Sequence, residues 1–518
     1  MKAIELEIFN HLFSAIAEEM GIVLRRSSFS PNIRERCDFS CAIFDEKGEL
    51  VSQASHIPVH LGAMPETMKN ILPLFNWKPG DMIITNDPFC GGTHLPDITL
   101  IKPVFYKDNL SFFLIVRAHH ADIGGKYAGS MAVTTHIKEE GILIGILIEP
   151  TYLIKEGKLE ENFLKKLIVK LRNPFEREGD LKAQIASLVR GEVRLNELIK
   201  KYGIFKLQEI VEELKNYSQR AMEKIIEKAP PEEYSFTDYL DDDGLEEKDI
   251  PIKVKIIFKG KKVIVDFSES ASQVKGCVNA PKAVTHSAVY YVFLSLLNTL
   301  GEYPINQGCF RPIEIITKPA TIVSATYPSA VAAGNVETSQ RIVDVLLGAL
   351  SKAFPNLIPS ASCGTMNNIA IGNERIAYYE TIGGGMGARP GKDGLSGVHT
   401  HMTNTLNTPV EALEHDYPVR IENYAIRKKS GGEGKYRGGD GLIREYIFLD
   451  DLSVTILSER RKHKPFGLFG GKPGKKGGNI LIRGKEKIYL PGKINLFVKK
   501  RDKLIIKTPG GGGWGERG

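Results

Sequence analysis

Two short clusters of metal-ligating side chains stand out: His94 and Asp97, three apart in the run NDPFCGGTHLPD, and the adjacent pair His119 and His120, which begins 22 residues beyond Asp97. Imidazole nitrogen and carboxylate oxygen are donors that divalent transition metals accept. For both clusters to meet at one ion, the chain between them must fold back on itself. Ile98 to Tyr106 and Leu110 to Ala118 are apolar runs separated by the turn signal Lys107-Asp108-Asn109, which predicts a hairpin with both clusters at one end. Histidines satisfied separately inside a core would show the same spacing, so a metal site and a structural role are both open on this ground alone.

The loop carrying His94 holds Gly91-Gly92, which permits close backbone approach, and is stiffened by Pro88 and Pro96. Asp122, Gly124-Gly125 and Gly129-Ser130-Met131 follow the histidine pair, a strip with the character of an active-site loop. Asp38 stands at the mouth of another expected hairpin, Phe39 to Phe44 and Glu49 to Val51; beside Arg34 and Arg36 it reads as an ion-pair or turn residue. His56 and His60 are four apart, but Pro58 between them works against a continuous helix, and both are assigned structural roles.

The remaining chain supplies scaffold. Ala3 to Met20 has a helical apolar stripe, and Glu161 to Lys228 reads as three helices broken at Asn173-Pro174 and Gly203. An acidic loop is expected over Asp238 to Asp249, then a hairpin from Ile252 to Phe267, a helix over Val284 to Leu300 and a strand at Ile313 to Ile316. Ser339 to Leu350 has helical spacing with Gly334 to Thr338 as the loop ahead of it. Free amides there would suit a phosphate or carboxylate, or Thr338 would serve as a plain N-cap. Thr381 to Thr408, with His399 and His401, reads either as a substrate-facing loop or as a mobile connector. The last hundred residues alternate short strands with glycine turns and lack Walker spacing. The whole is an α+β chain: a β-rich metal-binding region over 1–160, a helical segment over 161–229, a central α/β region over 230–420 and a basic β-rich domain over 421–518.

With 518 residues, 42% hydrophobic and 25% charged, the composition is that of a globular protein with a sizeable core. No run of 18 apolar residues is present, and Glu5 and Glu7 stand where a secretory signal would be basic; a cytoplasmic protein away from membranes is expected. The six cysteines form no CxxC pair and are expected as reduced thiols. Of the net charge of +7, residues 421–518 hold 23 Lys and Arg against 10 Asp and Glu, so this segment carries +13 and the rest −6. It reads as an anion-facing surface or as solvated faces; without regular aromatic interleaving, nucleic acid is not an expected partner.

Taken as an ordered set, the runs NIRERCDFSCAIFD, HIPVHLGAMPETM, GDMIITNDPFCGGTHLPDITL, AHHADIGG, NPFEREGDLKAQIA, GNVETSQRIVDV, NTPVEALEHDYPVRIENYAIRKKSGGEGKYRGGDGLIREY and TPGGGGWG closely resemble the hydantoinase B/oxoprolinase family. The resemblance implies a subunit of an ATP-dependent cyclic amide hydrolase that opens hydantoin, 5-oxoproline or lactam rings. It also implies a hetero-oligomer with a hydantoinase A-type subunit that carries ATP and magnesium. Its metal ligands, carried onto this chain, are His94, Asp97 and His119, with Asp38 as a fourth, for zinc, manganese or iron. His120 and Asp122 become the catalytic, proton-moving candidates. The alternatives are an acetone or acetophenone carboxylase-like subunit and a noncatalytic structural subunit. Where relatives read Glu-Gly-x-x-Ile-Pro-Pro, this chain has Glu140 to Ile146 without the prolines, which leaves the substrate open.

Overall fold

The computed structural model describes residues 3–55, 57–141 and 147–517. His56 and the prolineless stretch from 142 to 146 lie outside the described residues.

The first sheet is built from β1 (Phe39–Asp45), β2 (Leu50–Ser55), β3 (Met82–Thr85), β4 (Asp97–Tyr106), β5 (Asn109–His119), β6 (Thr151–Lys155) and β7 (Lys158–Leu159). It runs in the order β2-β1-β5-β4-β3-β6-β7, and the β4/β5 hairpin is at its centre. Tyr106 pairs with Asn109, so the turn is the two residues Lys107 and Asp108, with φ of 47° and 64°. Positive φ at both positions gives a tight turn whose twist matches that of the strands.

Both strands are apolar in both phases because both faces of the sheet are covered. Ile101, Phe113 and Ile115 enter one core with Met64, Met68, Val284 and Val292. Leu100, Leu114 and Val116 face the other way, into a core formed with Phe13 and Met20 of the helix Ala3–Ser27 and Leu181 and Leu188 of the helix Pro174–Tyr202. These two helices cross closely at Gly191, where a Cβ would fall 2.5 Å from Met20 Sδ and 3.0 Å from Leu114 Cδ1.

The helical segment has the expected breaks, giving Glu161–Ile168, Pro174–Tyr202 and Ile204–Ile226. Asn173, with φ 51°, caps the start of the second helix, and Gly203, with φ 82°, sits at the break between the second and third.

A second sheet holds β8 (Glu233–Asp242), β9 (Lys248–Lys259), β10 (Lys262–Asp266) and β11 (Ile313–Ile316), in the order β11-β10-β9-β8. The acidic loop expected over Asp238 to Asp249 is corrected here: β8 continues to Asp242 and β9 begins at Lys248. Its acids are structural anchors, since the buried carboxylate of Asp241 accepts from the amides of Arg461, Lys462 and His463.

The rest of the chain forms β12 (Asn368–Gly372), β13 (Ala377–Glu380), β14 (Val419–Arg427), β15 (Gly441–Phe448), β16 (Leu452–Leu457), β17 (Gly478–Arg483), β18 (Glu486–Leu490), β19 (Lys493–Val498) and β20 (Lys503–Lys507). One sheet is β13-β12-β16-β19 and the other β14-β15-β20-β17-β18, so strands from either side of residue 420 share a sheet. The closing glycine run packs backbone on backbone: a Cβ at Gly511 would lie 2.1 Å from Met386 O. Among the described residues, no helix is long and apolar enough to cross a membrane.

Gly191→Leu is expected to force apart the two helices over β5 and lower the unfolding free energy by about 1–3 kcal/mol. A urea midpoint equal to that of the wild type would show that this crossing tolerates a side chain.

Candidate metal centre

Strand pairing brings the two sequence clusters together. Asp97 is the first residue of β4 and His119 the last of β5, and they are direct partners across the hairpin. His94 lies in the loop before β4, where its carbonyl accepts from the amide of Asp97. Asp38 immediately precedes β1, the other neighbour of β5, and its carbonyl accepts from the amide of His119 at 3.0 Å. The ends of three adjacent strands therefore converge.

His94 Nε2 lies 3.1 Å from His119 Nδ1, and His119 Nδ1 is 3.0 Å from Asp97 Oδ1. His94 Nε2 is 3.2 Å from Asp97 Oδ1. All three side chains are buried, and His94, Asp97 and His119 form the one metal-capable group found among the described residues. An ion with bonds of about 2.0–2.2 Å keeps neighbouring donors about 2.9–3.4 Å apart, so the spacing of these atoms fits one.

The protonation states suit a cation as well. Burial raises the Asp97 carboxyl, but His94, His119 and His60 outweigh it and hold the group well below the usual carboxylate range. Burial lowers His119 against the pull of Asp38 and Asp97. The cluster thus offers a carboxylate and a neutral imidazole, the forms in which these side chains ligate.

A cavity of about 20 Å³ adjoins the cluster, lined by Asp38, His60, His94, Asp97, His119 and Asn335 among others. Asp38 turns one oxygen to within 3.7 Å of Arg36 Nη2, and Arg36 also bonds to Tyr379 O and Thr381 Oγ1. Asp38 is therefore at the cavity wall and outside the tight three-residue group.

His120 and Asp122 are placed elsewhere. Strand alternation turns His120 to the opposite side from His119, where Nε2 meets Gln184 Oε1 at 2.9 Å. Burial pushes its imidazole down to about 4. Asp122 accepts from the amides of Gly124 and Gly129 and from Arg172 Nη1, and burial pushes its carboxyl up. Neither lines the cavity.

Three further residues complete the centre. His60 reaches it: Nδ1 is 3.0 Å from Ser40 Oγ and Nε2 3.5 Å from Asp97 Oδ2. The non-helical reading of His56 to His60 holds in the described part, since Pro58–His60 is a single 3-10 turn, and that turn is what aims His60 inward. Asn335 Nδ2 lies 3.0 Å from His94 Nε2. It comes from Gly334–Thr338, which is a π-helical turn continuous with the helix Ser339–Ala353 rather than the expected loop. Thr338 has helical angles and gives its hydroxyl to Val278 O, so neither an N-cap nor a set of free amides exists at this point. Tyr379 stacks on His119 with centroids 4.8 Å apart at 22°. Its hydroxyl donates to Asn368 Oδ1, and Asn368 Nδ2 donates to Glu337 Oε1, a buried chain that fixes the ring.

The family model described as hydantoinase B/oxoprolinase matches residues 2–517. The chain belongs to this family. It is 39% identical over 525 residues to the 5-oxoprolinase of Dictyostelium discoideum, a match covering 99% of this chain and 40% of that protein. It therefore spans well under half the length of that relative. A protein from a Pseudomonas strain, assigned as the B-type component of a D-/L-hydantoinase, is 34% identical, with 96% of this chain and 88% of that protein covered. The crystal structure of the ATP-dependent caprolactamase from Pseudomonas jessenii matches with a TM-score of 0.92 at 26% identity, covering 100% of this chain and 91% of that one. The expected α+β architecture is that of this neighbour.

Two outcomes test the centre. Elemental analysis of the purified chain should find a bound transition metal, reduced on the order of tenfold or more in His94→Ala and in His119→Ala; unchanged content in both would remove the site. The second concerns Glu337, whose carboxyl burial pushes up to about 8 from 4.5. The fold then holds a proton that the unfolded chain releases, so stability falls as pH rises through that window. Glu337→Gln has no proton to lose, and its stability relative to wild type should rise between pH about 4.5 and 8. A difference that stays flat with pH would mean the carboxylate is ionised in the fold.

Proposed function

We propose that this chain is the metal-bearing B-type component of a cytoplasmic, ATP-dependent cyclic amide hydrolase, working with an A-type subunit that binds ATP and magnesium. The observation that carries this reading is the buried His94, Asp97 and His119 group at the strand ends of a chain with the fold of an ATP-dependent caprolactamase. The names of the 5-oxoprolinase and hydantoinase relatives support ring amides as the substrate class. A separate partner accords with the hydantoinase relative, whose name makes it one subunit of such an enzyme.

Amide resonance makes a ring carbonyl a poor electrophile, and ATP chemistry in the partner would relieve that. A zinc, manganese or iron ion held by His94, Asp97 and His119, with Asp38 close by, would supply Lewis acidity and a more acidic bound water. The chain's own residues set the stage for it. Tyr379 fixes the His119 ring by stacking, Asn335 brings its side-chain amide to within 3.0 Å of the His94 nitrogen that would face the ion, and Thr93 and His60 occupy the second carboxylate oxygen of Asp97. We assign proton transfer at the cavity to His60, which lines it, in place of His120 and Asp122. His120 pins the end of β5 to Gln184, and Asp122 organises the loop that follows.

The test is ring opening of 5-oxoproline, hydantoin and caprolactam by the chain combined with an A-type subunit. Turnover should require both proteins and ATP, and His94→Ala should lower it by on the order of 100-fold. Turnover by this chain alone would refute the two-component reading, and none of the three rings opening would refute the substrate class.

A further inference from the structure

Asn335 differs from the other buried amides near the metal centre. Asn279 is satisfied at both ends: its oxygen accepts from Val274 N, and its nitrogen donates to the carbonyls of Val274, Gly276 and Ala330. Asn368 is satisfied likewise, through Tyr379, Glu337 and Leu457. Asn335 is 3% exposed, and its side-chain nitrogen lies 3.0 Å from His94 Nε2. Its Oδ1 is buried and has no hydrogen-bond partner among the described residues. A buried acceptor left in that state is costly, and a purely structural amide would avoid it.

The backbone beneath this side chain is fixed. Asn335 lies in the π-helical turn Gly334–Thr338, and single π turns are frequent at functional sites. Ser339 Oγ donates to Asn335 O, and Gly334 N donates to Cys277 O. A Cβ at Gly334 would fall 1.9 Å from Asn279 O, so the turn is seated tightly on its neighbour. Just upstream, the amides of Val331 and Ala332 donate to the buried Glu140 Oε1, 2.7 and 2.8 Å away. What remains free is rotation of the side-chain amide about Cβ–Cγ.

That rotation decides what His94 meets. An amide nitrogen only donates, so it takes the lone pair of His94 Nε2. An ion would need the same lone pair, since Nε2 also lies 3.1 Å from His119 Nδ1 and 3.2 Å from Asp97 Oδ1. With an ion there, the N–H would lose its acceptor and turn its positive end toward a cation. A half turn of the amide reverses this and brings the oxygen to the cation. The 3.0 Å between that amide position and His94 Nε2 falls within the about 2.9–3.4 Å that separates neighbouring donors on one ion.

We propose that Asn335 is a ligand of the ion through Oδ1, a neutral oxygen donor added to His94, Asp97 and His119. An amide carbonyl suits a harder ion such as manganese(II). The inference rests on the metal centre of the proposed function and adds a donor to it.

Titration of the chelator-treated, full-length chain with manganese(II), followed by the paramagnetic resonance signal of the free ion, tests it. Asn335→Ala should bind about tenfold or more weakly. Asn335→Asp keeps an oxygen at that position and should bind at least as tightly as the wild type. With cobalt(II) in place of manganese, the visible absorption bands should shift in Asn335→Ala because the donor set has changed. Wild-type manganese affinity or unshifted cobalt bands in Asn335→Ala would overturn the proposal. So would an Asn335→Asp affinity as low as that of Asn335→Ala, the result expected if only a hydrogen bond to His94 were lost. If Asn335→Ala does not fold, the near-isosteric Asn335→Asp decides, and weaker binding than in the wild type overturns the assignment. A wild type that takes up no ion removes the metal centre and this proposal together. Binding that ignores Asn335 leaves the centre and the proposed function standing.

Discussion

The register of β4 against β5 is the constraint on which the site depends. Asp97 faces His119 across the hairpin, and a slip of one residue would put Ala118 or His120 in its place. The register is held because the two faces are not interchangeable. Ile101, Phe113 and Ile115 belong to one core and Leu100, Leu114 and Val116 to another, so a slip would send each set into a core shaped for the other. The side chains would stay buried but in spaces of the wrong shape, at about 1–3 kcal/mol for each one forced to overpack. The same alternation separates two adjacent histidines: His119 turns to Asp97 and His120 to Gln184.

Around that hairpin the fold tolerates charges in places where isolated ones would be prohibitive. Arg117, on β5 two residues before His119, is fully buried, and burial pulls it down to about 10. Its guanidinium is spent on Thr99 Oγ1, Thr67 Oγ1 and Gly91 O. That last contact ties the strand carrying His119 to the loop carrying His94. Arg36 does the same from the other side, joining the segment before Asp38 to Tyr379 and Thr381. Polar groups thus align the ligand-bearing segments after the apolar cores have set the strands.

What the sequence made legible follows from how local the signal is. The hairpin, the helix breaks at Asn173 and Gly203, and the pairing of the two histidine clusters rest on alternation, turn residues and spacing, all of which act over short distances. Asp241 misled because an acidic run looks solvated until the amides of residues 461–463 are brought to it from far along the chain. Asn335 and Tyr379 were invisible for the same reason, since each meets the centre only through tertiary packing. His60 carried a usable signal in Pro58, which works against a continuous helix and opens the single 3-10 turn that points the side chain inward. The division at residue 420 follows composition, yet β12 and β13 pair into one sheet with β16 and β19 from beyond it.

The segment from Thr381 to Thr408 shows how an irregular stretch is fixed when few of its side chains, Ile382 and Met402 among them, enter a hydrophobic core. Main-chain hydrogen bonds add the rest: Gly385 N to Pro509 O, Ala388 N to Gly512 O and Gly397 N to Asp440 O. Such bonds need the backbones almost in contact, and this is what the glycines at both ends of the seam provide, with Gly511 lacking room for even a methyl group. The consequence reaches the site. His399, His401 and Thr403 follow directly on this anchored stretch and form one wall of a cavity of about 650 Å³ beside the metal centre, and Thr403 lines the metal cavity as well. The closing TPGGGG run, more than a hundred residues along the chain from that wall, is therefore part of what positions it.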